Sequence, residues 1–410
     1  MKKPVLLVRP VNVTPMLIPN IGLGYLATRL RQAGHDVEIL DCIRERVDGK
    51  AFAERLRQKD YGVVGFQVYT FDMYPAREHL ELCARHLPKA MTVAGGPHPG
   101  ADPDGTMRLP NLDFAFRSEA EIGFPALVDL LRDADWDREA VKAKHERLRQ
   151  IQNLVFRDGA GEVVKNPVKT ADDLDDVPFP AWDLIDPRQY PVAPQGTFTK
   201  RIPVAPTVVT RGCPFECTFC AAATNTGKPI RYRSPGNVME ELWMLKRQYG
   251  VREIHIEDDN FTLNRQKCAA VCEAFLRENI DLCWALPNGV RLDTLDAELL
   301  TLMERAGCYS LAVGIESGSQ RVLDLMKKDL TVEEIEYKVA LIKRVTKMKV
   351  TGFFIIGYPG ETKDEIRHTI RFARKLNIDK ANYGIYMPLR GRRPTTSSST
   401  GAISRATTRR

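Results

Sequence analysis

The chain has 410 residues, of which 43% are hydrophobic and 28% are charged. This composition is typical of a globular protein with roughly two or three domains, and it excludes a disordered or fibrous chain. No apolar run reaches the roughly 18 residues that a membrane span needs, and no signal peptide is predicted. The nine cysteines show no disulfide framework, so we expect a reducing, cytoplasmic location.

The formal net charge of +7 is concentrated near the C-terminus. Residues 390–410 contain six arginines and no acidic residue, and the rest of the chain holds 54 basic and 53 acidic residues. A nucleic-acid-binding protein needs a basic surface on its folded body. The sequence therefore predicts no nucleic-acid partner.

Residues 1–135 alternate short apolar runs with helical patterns. This alternation is typical of a parallel sheet with crossover helices, and the pattern of five strands predicts a doubly wound, flavodoxin-like α/β domain. Ligands of such domains bind beyond the carboxyl ends of the strands. The predicted strands are 4–8, 36–40, 62–67, 90–94 and 112–116, and the predicted helices are 21–33, 49–59, 74–87 and 119–131.

Residues 136–206 have a different character. A charged helical stretch, 137–150, precedes a hairpin whose turn contains Asp158 and Gly159. Residues 172–182 are then rich in proline and include Trp182. Because flexible linkers lack such apolar anchors, we expect an ordered strap between two domains.

Residues 207–389 repeat a strand–helix pattern, which predicts a partial (β/α)6 barrel of the TIM type. The predicted strands are 207–210, 253–257, 282–285, 310–314, 352–357 and 382–387, and the helices are 235–248, 265–278, 297–306, 320–326, 332–347 and 363–376. Residues 390–410 do not continue the pattern. We expect them to be a disordered tail or, on guessed codons, the product of a reading-frame shift near position 389.

Three cysteines, Cys213, Cys217 and Cys220, follow the first predicted barrel strand, at the face where barrel active sites are built. Three thiolates are one fewer than usually hold a 4Fe–4S cluster, so one iron would keep an open position for a ligand. A structural zinc site would show a further cysteine or histidine nearby, and the next cysteine is Cys268. The spacing therefore favours a reactive cluster over zinc or free thiols.

This motif resembles the CxxxCxφC loop of the radical S-adenosylmethionine (SAM) enzymes, with Phe219 as the aromatic residue. The resemblance implies an oxygen-sensitive 4Fe–4S cluster on the three cysteines, SAM bound at its open iron, and reductive cleavage of SAM to a 5′-deoxyadenosyl radical. It also implies an electron donor of the flavodoxin or ferredoxin type.

The resemblance extends to the ends of later barrel strands. It implies SAM-binding roles for Phe219, Asp258, Asp259, Asn260, Arg291, Glu316, Ser317 and Gly357. Carboxylates suit the SAM ammonium group, although an aspartate here could instead cap the following helix. Arg291 could pair with the SAM carboxylate or with a surface acid, and Glu316 could bind the ribose hydroxyls. Gly357 would allow the backbone to approach a ligand closely, but it could also serve only to form a turn.

The N-terminal domain resembles the cobalamin-binding domain that precedes the barrel in one branch of the radical SAM enzymes. The resemblance rests on segments 21–27, 34–41, 95–98 and 118–121. It implies that cobalamin, through its nucleotide tail, is bound near Gln67, Tyr69, Thr70, Gly95, Gly96 and His98. His98 could contact the ligand or lie on the surface. The loop 9–20 lacks the D-x-H-x-x-G motif, so we expect no histidine on cobalt, and a domain that kept the fold but lost the cofactor is the alternative.

Together these features predict a cobalamin-dependent radical SAM enzyme that methylates an unactivated carbon of a small-molecule or peptide substrate. No catalytic side chain is assigned from the sequence. The alternatives are an oxidative cyclase resembling the anaerobic magnesium-protoporphyrin monomethyl ester cyclase, a non-catalytic cobalamin or redox sensor, and an inactive fragment. The remaining cysteines are expected in the core: Cys42, Cys83, Cys268, Cys272, Cys283 and Cys308.

Overall fold

The computed structural model describes residues 2–11, 17–190 and 198–388, so the predicted tail and part of the loop 9–20 lie outside the described residues. The strands of the N-terminal part are β1 Val5–Arg9, β2 Val37–Asp41, β3 Val63–Gln67, β4 Met91–Gly95, β5 Phe114–Phe116, β6 Leu154–Arg157 and β7 Val163–Lys165. Its α-helices are α1 Ile21–Gln32, α2 Gly49–Arg57, α3 Met73–His86, α4 Pro97–Ala101, α5 Pro103–Thr106, α6 Gly123–Arg132, α7 Arg138–Lys142 and α8 His145–Arg149.

These strands form one sheet. Among the described residues it has seven strands in the order β2-β1-β3-β4-β5-β6-β7, with β1 to β5 parallel and the β6–β7 hairpin added antiparallel to β5. The order 2-1-3-4-5 confirms the flavodoxin-like prediction. The hairpin continues this sheet, which therefore extends past residue 135.

The C-terminal part contains strands β8 Val204–Thr207, β9 Thr210–Arg211, β10 Arg231–Tyr232, β11 Glu253–Ile256, β12 Cys283–Val290, β13 Cys308–Glu316, β14 Lys349–Ile356 and β15 Lys380–Ile385. Its α-helices are α9 Ala222–Thr226, α10 Pro235–Tyr249, α11 Arg265–Glu278, α12 Ala297–Arg305, α13 Gln320–Leu325, α14 Val332–Val345 and α15 Lys363–Lys375. In the part of the chain that the structure describes, β8 and β11 to β15 make a six-stranded parallel sheet, and β9 and β10 pair separately. This is the predicted partial barrel.

The sequence specifies the helix ends locally. Ser234 caps α10 by accepting from the backbone N–H of Asn237, Pro235 occupies the first turn, and Gly250 ends the helix in the left-handed conformation. Thr362 and Glu365 form a capping box at the start of α15. Such signals explain why the predicted bounds of these helices agree closely with the structure.

Three expectations about elements were wrong in detail. The first barrel strand, predicted at 207–210, runs over Val204–Thr207, because Thr210–Arg211 pairs separately with β10. The predicted helix 137–150 breaks at Lys144, which has a non-helical ψ of 54°, into α7 and α8. Strand β12 continues to Val290 through Pro287 and Gly289, because a register shift in its pairing with β13 accommodates both residues.

The segment 180–185, which follows the hairpin, packs between α1 of the N-terminal part and α10 of the barrel. Trp182 and Ile185 belong to the barrel's apolar core, and the Trp182 indole donates to Glu241 of α10 at 3.1 Å. On the other side, a Cβ at Gly24 of α1 would lie 2.7 Å from Pro180. Both halves of the molecule therefore pack against this segment. No helix among the described residues is long and apolar enough to cross a membrane.

Candidate cofactor sites at the carboxyl ends of both sheets

The cysteine loop follows β8 at the carboxyl-end face of the barrel. Cys217 is buried, Cys213 and Cys220 are half-buried, and all three are free thiols. A Cβ at Gly212 would lie 2.1 Å from the carbonyl oxygen of Pro229, and the φ of Gly212 is 106°, so only glycine fits immediately before Cys213. The loop backbone is therefore tightly defined where it leads into the first cysteine.

The three thiols are not paired in disulfides, and a metal that binds them would have to displace their protons. Burial raises the pKa of Cys220 to about 11, so the thiol is protonated at neutral pH unless a metal displaces the proton. Within the described ranges no group of three His, Cys, Asp or Glu side chains converges on a position for a single metal ion. A 4Fe–4S cluster does not require such convergence, because each thiolate binds a different iron.

Two residues that the sequence analysis missed hold this loop in place. The Thr218 N–H donates to the carbonyl of Met326 at 3.0 Å, and its hydroxyl lies 2.6 Å from the hydroxyl of the buried Tyr358. Phe219 packs against the same cluster of side chains, which includes Val322. The loop is thereby tied to α13 and to the end of β14. Nothing in the spacing of Thr218 and Tyr358 marks this contact in the sequence.

In the segment after β11, the carboxylate of Asp258 binds backbone N–H groups of another segment. Asp258 accepts from the N–H groups of Val209 and Thr210 at 2.7 and 2.9 Å and so fixes the chain that leads into the cysteine loop. Burial raises the pKa of Asp258 to about 7, although these two hydrogen bonds oppose the rise. The structure thus places Asp258 under the loop, whereas the exposed Asp259 accepts from the hydroxyl of Thr226 at 2.5 Å.

Asn260 and Glu257 have buried polar atoms to which no described residue is hydrogen-bonded. Asn260 is 1% exposed, and neither its amide nitrogen nor its amide oxygen has a partner in the described ranges. The Oε1 atom of Glu257 is likewise buried and unpaired there. Burial, and secondarily Asp258, raises the pKa of Glu257 to about 8. Because buried polar groups are almost always satisfied, these atoms are available to a polar ligand.

Arg291, which follows β12, is held beneath the cysteine loop. Its guanidinium pairs with Asp293 at 2.9 Å and stacks on the ring of Phe215 at 3.7 Å from the centroid. The Nη1 atom is buried and, among the residues described, has no hydrogen-bond partner. Both alternatives weighed for Arg291 thus have support, since it pairs with a nearby acid and keeps one buried donor.

Glu316 ends β13 with a φ of 65° and pairs with the buried Lys328 at 2.7 Å. A Cβ at Gly314 would lie 2.5 Å from a Glu316 oxygen and 2.7 Å from the Lys328 nitrogen, so a larger residue there would displace this ion pair. Ser317 is fully buried and bonds to Thr369 of α15. Lys328 is a further residue that sequence reasoning missed.

Gly357 occupies the turn after β14. Its φ is 77°, which favours glycine, and its N–H donates to Glu361 at 2.6 Å. No heavy atom lies within 4 Å of a Cβ built at Gly357, so space for a ligand exists on that side. The geometry fits both roles considered for Gly357, a residue required by the turn and a point where a ligand approaches the backbone.

A cavity of about 290 Å³ opens at the carboxyl ends of β1, β3, β4 and β5. Gln67, Gly95 and Gly96 line it, and a Cβ at Gly96 would lie 3.1 Å from the backbone of Val68, with a φ of 99°. The side chain of Gln67 bonds to that of Asn20 at the start of α1. Thr210, Arg211 and Asp259 of the barrel complete the wall.

The other residues expected near a nucleotide tail lie beyond the residues that line this cavity. Tyr69 is 38% exposed and stacks on Phe71 at 5.3 Å between ring centroids. Thr70 bonds through its hydroxyl to Nδ1 of His98 at 3.1 Å. His98 is 7% exposed, so the alternative of a surface histidine is wrong, because its ring is enclosed beside this hydroxyl.

The arrangement fits the expected cofactors. The three thiols on a defined loop fit a cluster, and the buried unpaired atoms of Asn260, Glu257 and Arg291 around that loop fit a ligand with ammonium and carboxylate groups. The glycine-lined cavity lies at the carboxyl ends of the first sheet's strands, where the strand order reverses, and it fits the nucleotide tail of cobalamin. A doubly wound sheet followed by a partial barrel with this loop defines the class of radical enzymes with a preceding cofactor-binding domain.

Comparisons with known proteins agree with this class. The family model of the Radical SAM superfamily matches residues 207–373, and that of the B12 binding domain matches residues 10–128. An uncharacterized methyltransferase of Pyrococcus horikoshii is 32% identical over 376 residues, which cover 92% of this chain and 77% of the relative. Cytidylyl-2-hydroxyethylphosphonate methyltransferase of Streptomyces wedmorensis is 30% identical, with 90% and 76% covered.

An anaerobic magnesium-protoporphyrin IX monomethyl ester cyclase of Cereibacter sphaeroides is 29% identical, with 90% of this chain and 58% of the cyclase covered. Among solved structures, the radical SAM methyltransferase TsrM from Kitasatospora setae, with cobalamin and a [4Fe-4S] cluster bound, superposes with a TM-score of 0.72. It is 19% identical, with 94% of this chain and 75% of TsrM covered, and this likeness shows the fold. TsrM has also been solved with tryptophan substrate and a SAM analog.

The chain belongs to the family of cobalamin-dependent radical SAM methyltransferases. The cofactors of this family are a 4Fe–4S cluster, SAM and cobalamin, so the resemblance drawn from the sequence is confirmed, as are the fold and the enzyme class.

Proposed function

We propose that this protein transfers a methyl group to an unactivated carbon of a small molecule. One observation carries the proposal: the cavity at the end of the first sheet shares a wall with the chain that leads into the cysteine loop. Arg211 lines that cavity and is followed by Gly212 and Cys213. Groups bound at the two places are therefore neighbours at the mouth of the barrel.

When bound, the cluster and one SAM would supply a 5′-deoxyadenosyl radical, and cobalamin would pass on a methyl group taken from a second SAM. Cys213, Cys217 and Cys220 would hold the cluster, and Thr218 and Tyr358 fix their loop. Asn260 has both an unpaired donor and an unpaired acceptor for SAM. Asp258 acts indirectly, by holding the backbone of Val209 and Thr210.

The remaining SAM contacts are proposed from where the side chains lie and from their unpaired hydrogen-bonding atoms. The buried Nη1 of Arg291 would donate to the SAM carboxylate, and Glu316, oriented by Lys328, would accept from the ribose hydroxyls. Ser317, Gly357, Asp259 and Phe219 complete the surroundings that the family resemblance implies. Each residue binds or orients, and a proton-transferring side chain is not assigned.

For cobalamin, the proposed contacts divide into two groups. Gln67, Gly95 and Gly96 would hold the nucleotide tail, since they line the cavity. Tyr69, stacked on Phe71, presents exposed aromatic surface outside the cavity and would contact the larger part of the molecule. Thr70 and His98 bond to each other through their side chains, and the His98 N–H donates to the carbonyl of Val68, so they would support the backbone between these groups.

The partners follow from the same chemistry. A flavodoxin- or ferredoxin-type donor would supply the electron, and a small molecule would be the substrate, as tryptophan is for TsrM. A nucleic-acid substrate is disfavoured because residues 1–389 hold 54 basic against 53 acidic residues. Oxygen sensitivity of the cluster and the free cysteines favour the cytoplasm.

The test is anaerobic reconstitution followed by incubation with methyl-labelled SAM and candidate substrates. We expect label in a carbon-bound methyl group of the product, and no labelled product from the Cys217→Ala variant. The cyclase relative favours a second candidate, oxidative ring closure. In that case the product would lose hydrogen and carry no label. Binding of every cofactor without SAM cleavage would instead indicate a sensor.

A further inference from the structure

A run of ion pairs joins the loop after β5 to the barrel. Glu121 pairs with Arg211 at 2.7 Å, and Glu119 pairs with Arg231 at 2.6 Å and with Arg211 at 3.5 Å. Arg211 also stacks on Tyr25 of α1, 4.9 Å from the ring centroid. We call Glu119, Glu121, Arg211 and Arg231 the bridging cluster.

The bridging cluster is directly connected to the cysteine loop. Arg211 and Arg231 are opposite each other in the antiparallel β9–β10 pair, and Gly212 follows Arg211. Beyond that point the Cys213 N–H donates to the carbonyl of Gly227 at 3.0 Å. The backbone on both sides of the first cysteine is therefore fixed through strands that the two glutamates hold.

The segment after the cysteines also contacts the first half of the molecule. The Ser118 hydroxyl donates to the carbonyl of Asn225 in α9 at 2.6 Å, and a Cβ at Gly100 of α4 would lie 2.7 Å from the Asn225 side chain. Ser118 adopts a φ of 59° to make its contact. The chain from Thr210 to Tyr232 is thus held at several points by loops that end strands of the first sheet.

The same residues form a wall of the tail cavity. Tyr25, Glu119, Glu121 and Arg211 all line it, and the side chains of the two glutamates are 9% and 13% exposed. Although burial opposes ionisation, Arg231 and Arg211 hold the pKa of Glu119 below its usual value. An occupant of the cavity would exclude the remaining water from these pairs and so strengthen their Coulomb attraction. Because the glutamate side chains are already largely buried, little further desolvation opposes this gain.

We propose that Glu119 and Glu121 are positioning residues through which filling of the tail cavity stabilises the cysteine loop and its cluster. The coupling is reciprocal, because any effect of cobalamin on cluster binding must equal the effect of the cluster on cobalamin binding. The inference rests on the cofactor sites assigned under the proposed function. It concerns their mutual dependence rather than the methyl transfer.

The experiment measures cluster loss in a solution of fixed oxygen content, followed by visible absorbance, with and without saturating cobalamin. In the wild type we expect cobalamin to slow the loss by about fivefold or more, the low end of typical site-to-site coupling. In Glu121→Gln and in Glu119→Gln the ratio should fall towards one. Asp183→Asn is the matched control, because its exposed pair with Arg31 at 2.8 Å lies away from the cavity.

A second measurement distinguishes coupling from damage to the fold. Cobalamin affinity is determined for cluster-free and cluster-loaded protein, and thermal unfolding of each apo variant is recorded. The proposal requires that the wild-type affinity for cobalamin is higher with the cluster bound, and that this rise is lost in both variants while the apo proteins stay folded. Independent binding of the two cofactors in the wild type would overturn it without affecting the proposed function. Failure of the wild type to bind either cofactor would overturn both.

Discussion

At the residue scale, the most informative side chain is Asn260, which is buried with both amide atoms unpaired in the described part of the chain. Replacing it by leucine, which has a similar shape, removes the cost of the unpaired groups. We expect Asn260→Leu to leave apo stability unchanged or raised and to weaken SAM binding by about tenfold, from the loss of roughly 1–2 kcal/mol of hydrogen bonding. Calorimetry and thermal unfolding measure the two effects.

Asn166 provides the contrasting control. It is also buried, but its amide nitrogen donates to the carbonyls of Leu148 and Ile151, both at 2.7 Å. Asn166→Leu should lower stability by about 1–3 kcal/mol, because the carbonyls of Leu148 and Ile151 each lose a buried hydrogen bond, and should leave SAM affinity intact. A SAM affinity of Asn260→Leu equal to that of the wild type would remove Asn260 from the site.

Glu257 predicts a pH dependence. Its pKa is raised from 4.5 to about 8 by burial and by Asp258, so the folded state binds a proton that the unfolded state has released across this range. The contribution of Glu257 to apo stability is therefore complete below about pH 4.5, where the carboxyl group is protonated in both states. It is lost progressively as the pH rises from about 4.5 to about 8. Glu257→Gln should remove this part of the slope. The difference in slope is measured from the unfolding free energies of the two apo proteins between about pH 5 and pH 9. An equal slope in both proteins would contradict the assignment.

At the scale of elements, the cysteine loop depends on its contact with the end of β14. Tyr358→Phe removes the hydroxyl that lies 2.6 Å from that of Thr218. We expect a loss of about 1 kcal/mol in the stability of the loop and correspondingly faster cluster loss, with thiol ligands unchanged. Iron content and absorbance during chelation provide the measurement. Tyr337→Phe, on the exposed side of α14, is the control. Identical rates in all three proteins would show that this contact does not matter for the loop.

The strands and helices of both sheets could be predicted from the sequence because periodicity and capping residues are local signals. The break at Lys144 and the extension of β12 to Val290 could not, since the first depends on packing and the second on pairing with β13. In the site, the cysteines are marked by their spacing. Thr218, Tyr358 and Lys328 become neighbours only through contacts between distant segments, so a single sequence does not show their roles.

At the scale of the whole molecule, the account predicts how cobalt is coordinated. The loop 9–20 contains no histidine, and the buried His98 lies outside the residues that line the tail cavity. We therefore expect the paramagnetic resonance spectrum of the cob(II)alamin form to lack splitting from an imidazole nitrogen. His98→Ala should give the same spectrum. Nitrogen splitting in the wild type that disappears in His98→Ala would contradict this prediction.

The central claim is that Cys213, Cys217 and Cys220 hold a cluster that cleaves SAM. The most direct measurement is the yield of 5′-deoxyadenosine after anaerobic reconstitution with iron, sulfide and cobalamin, followed by SAM and a strong reductant. The account predicts formation of this product by the wild type and by Cys268→Ala, whose thiol is buried in the barrel core, and none by Cys217→Ala. Equal yields from Cys217→Ala and the wild type, or no product from the reconstituted wild type, would contradict it.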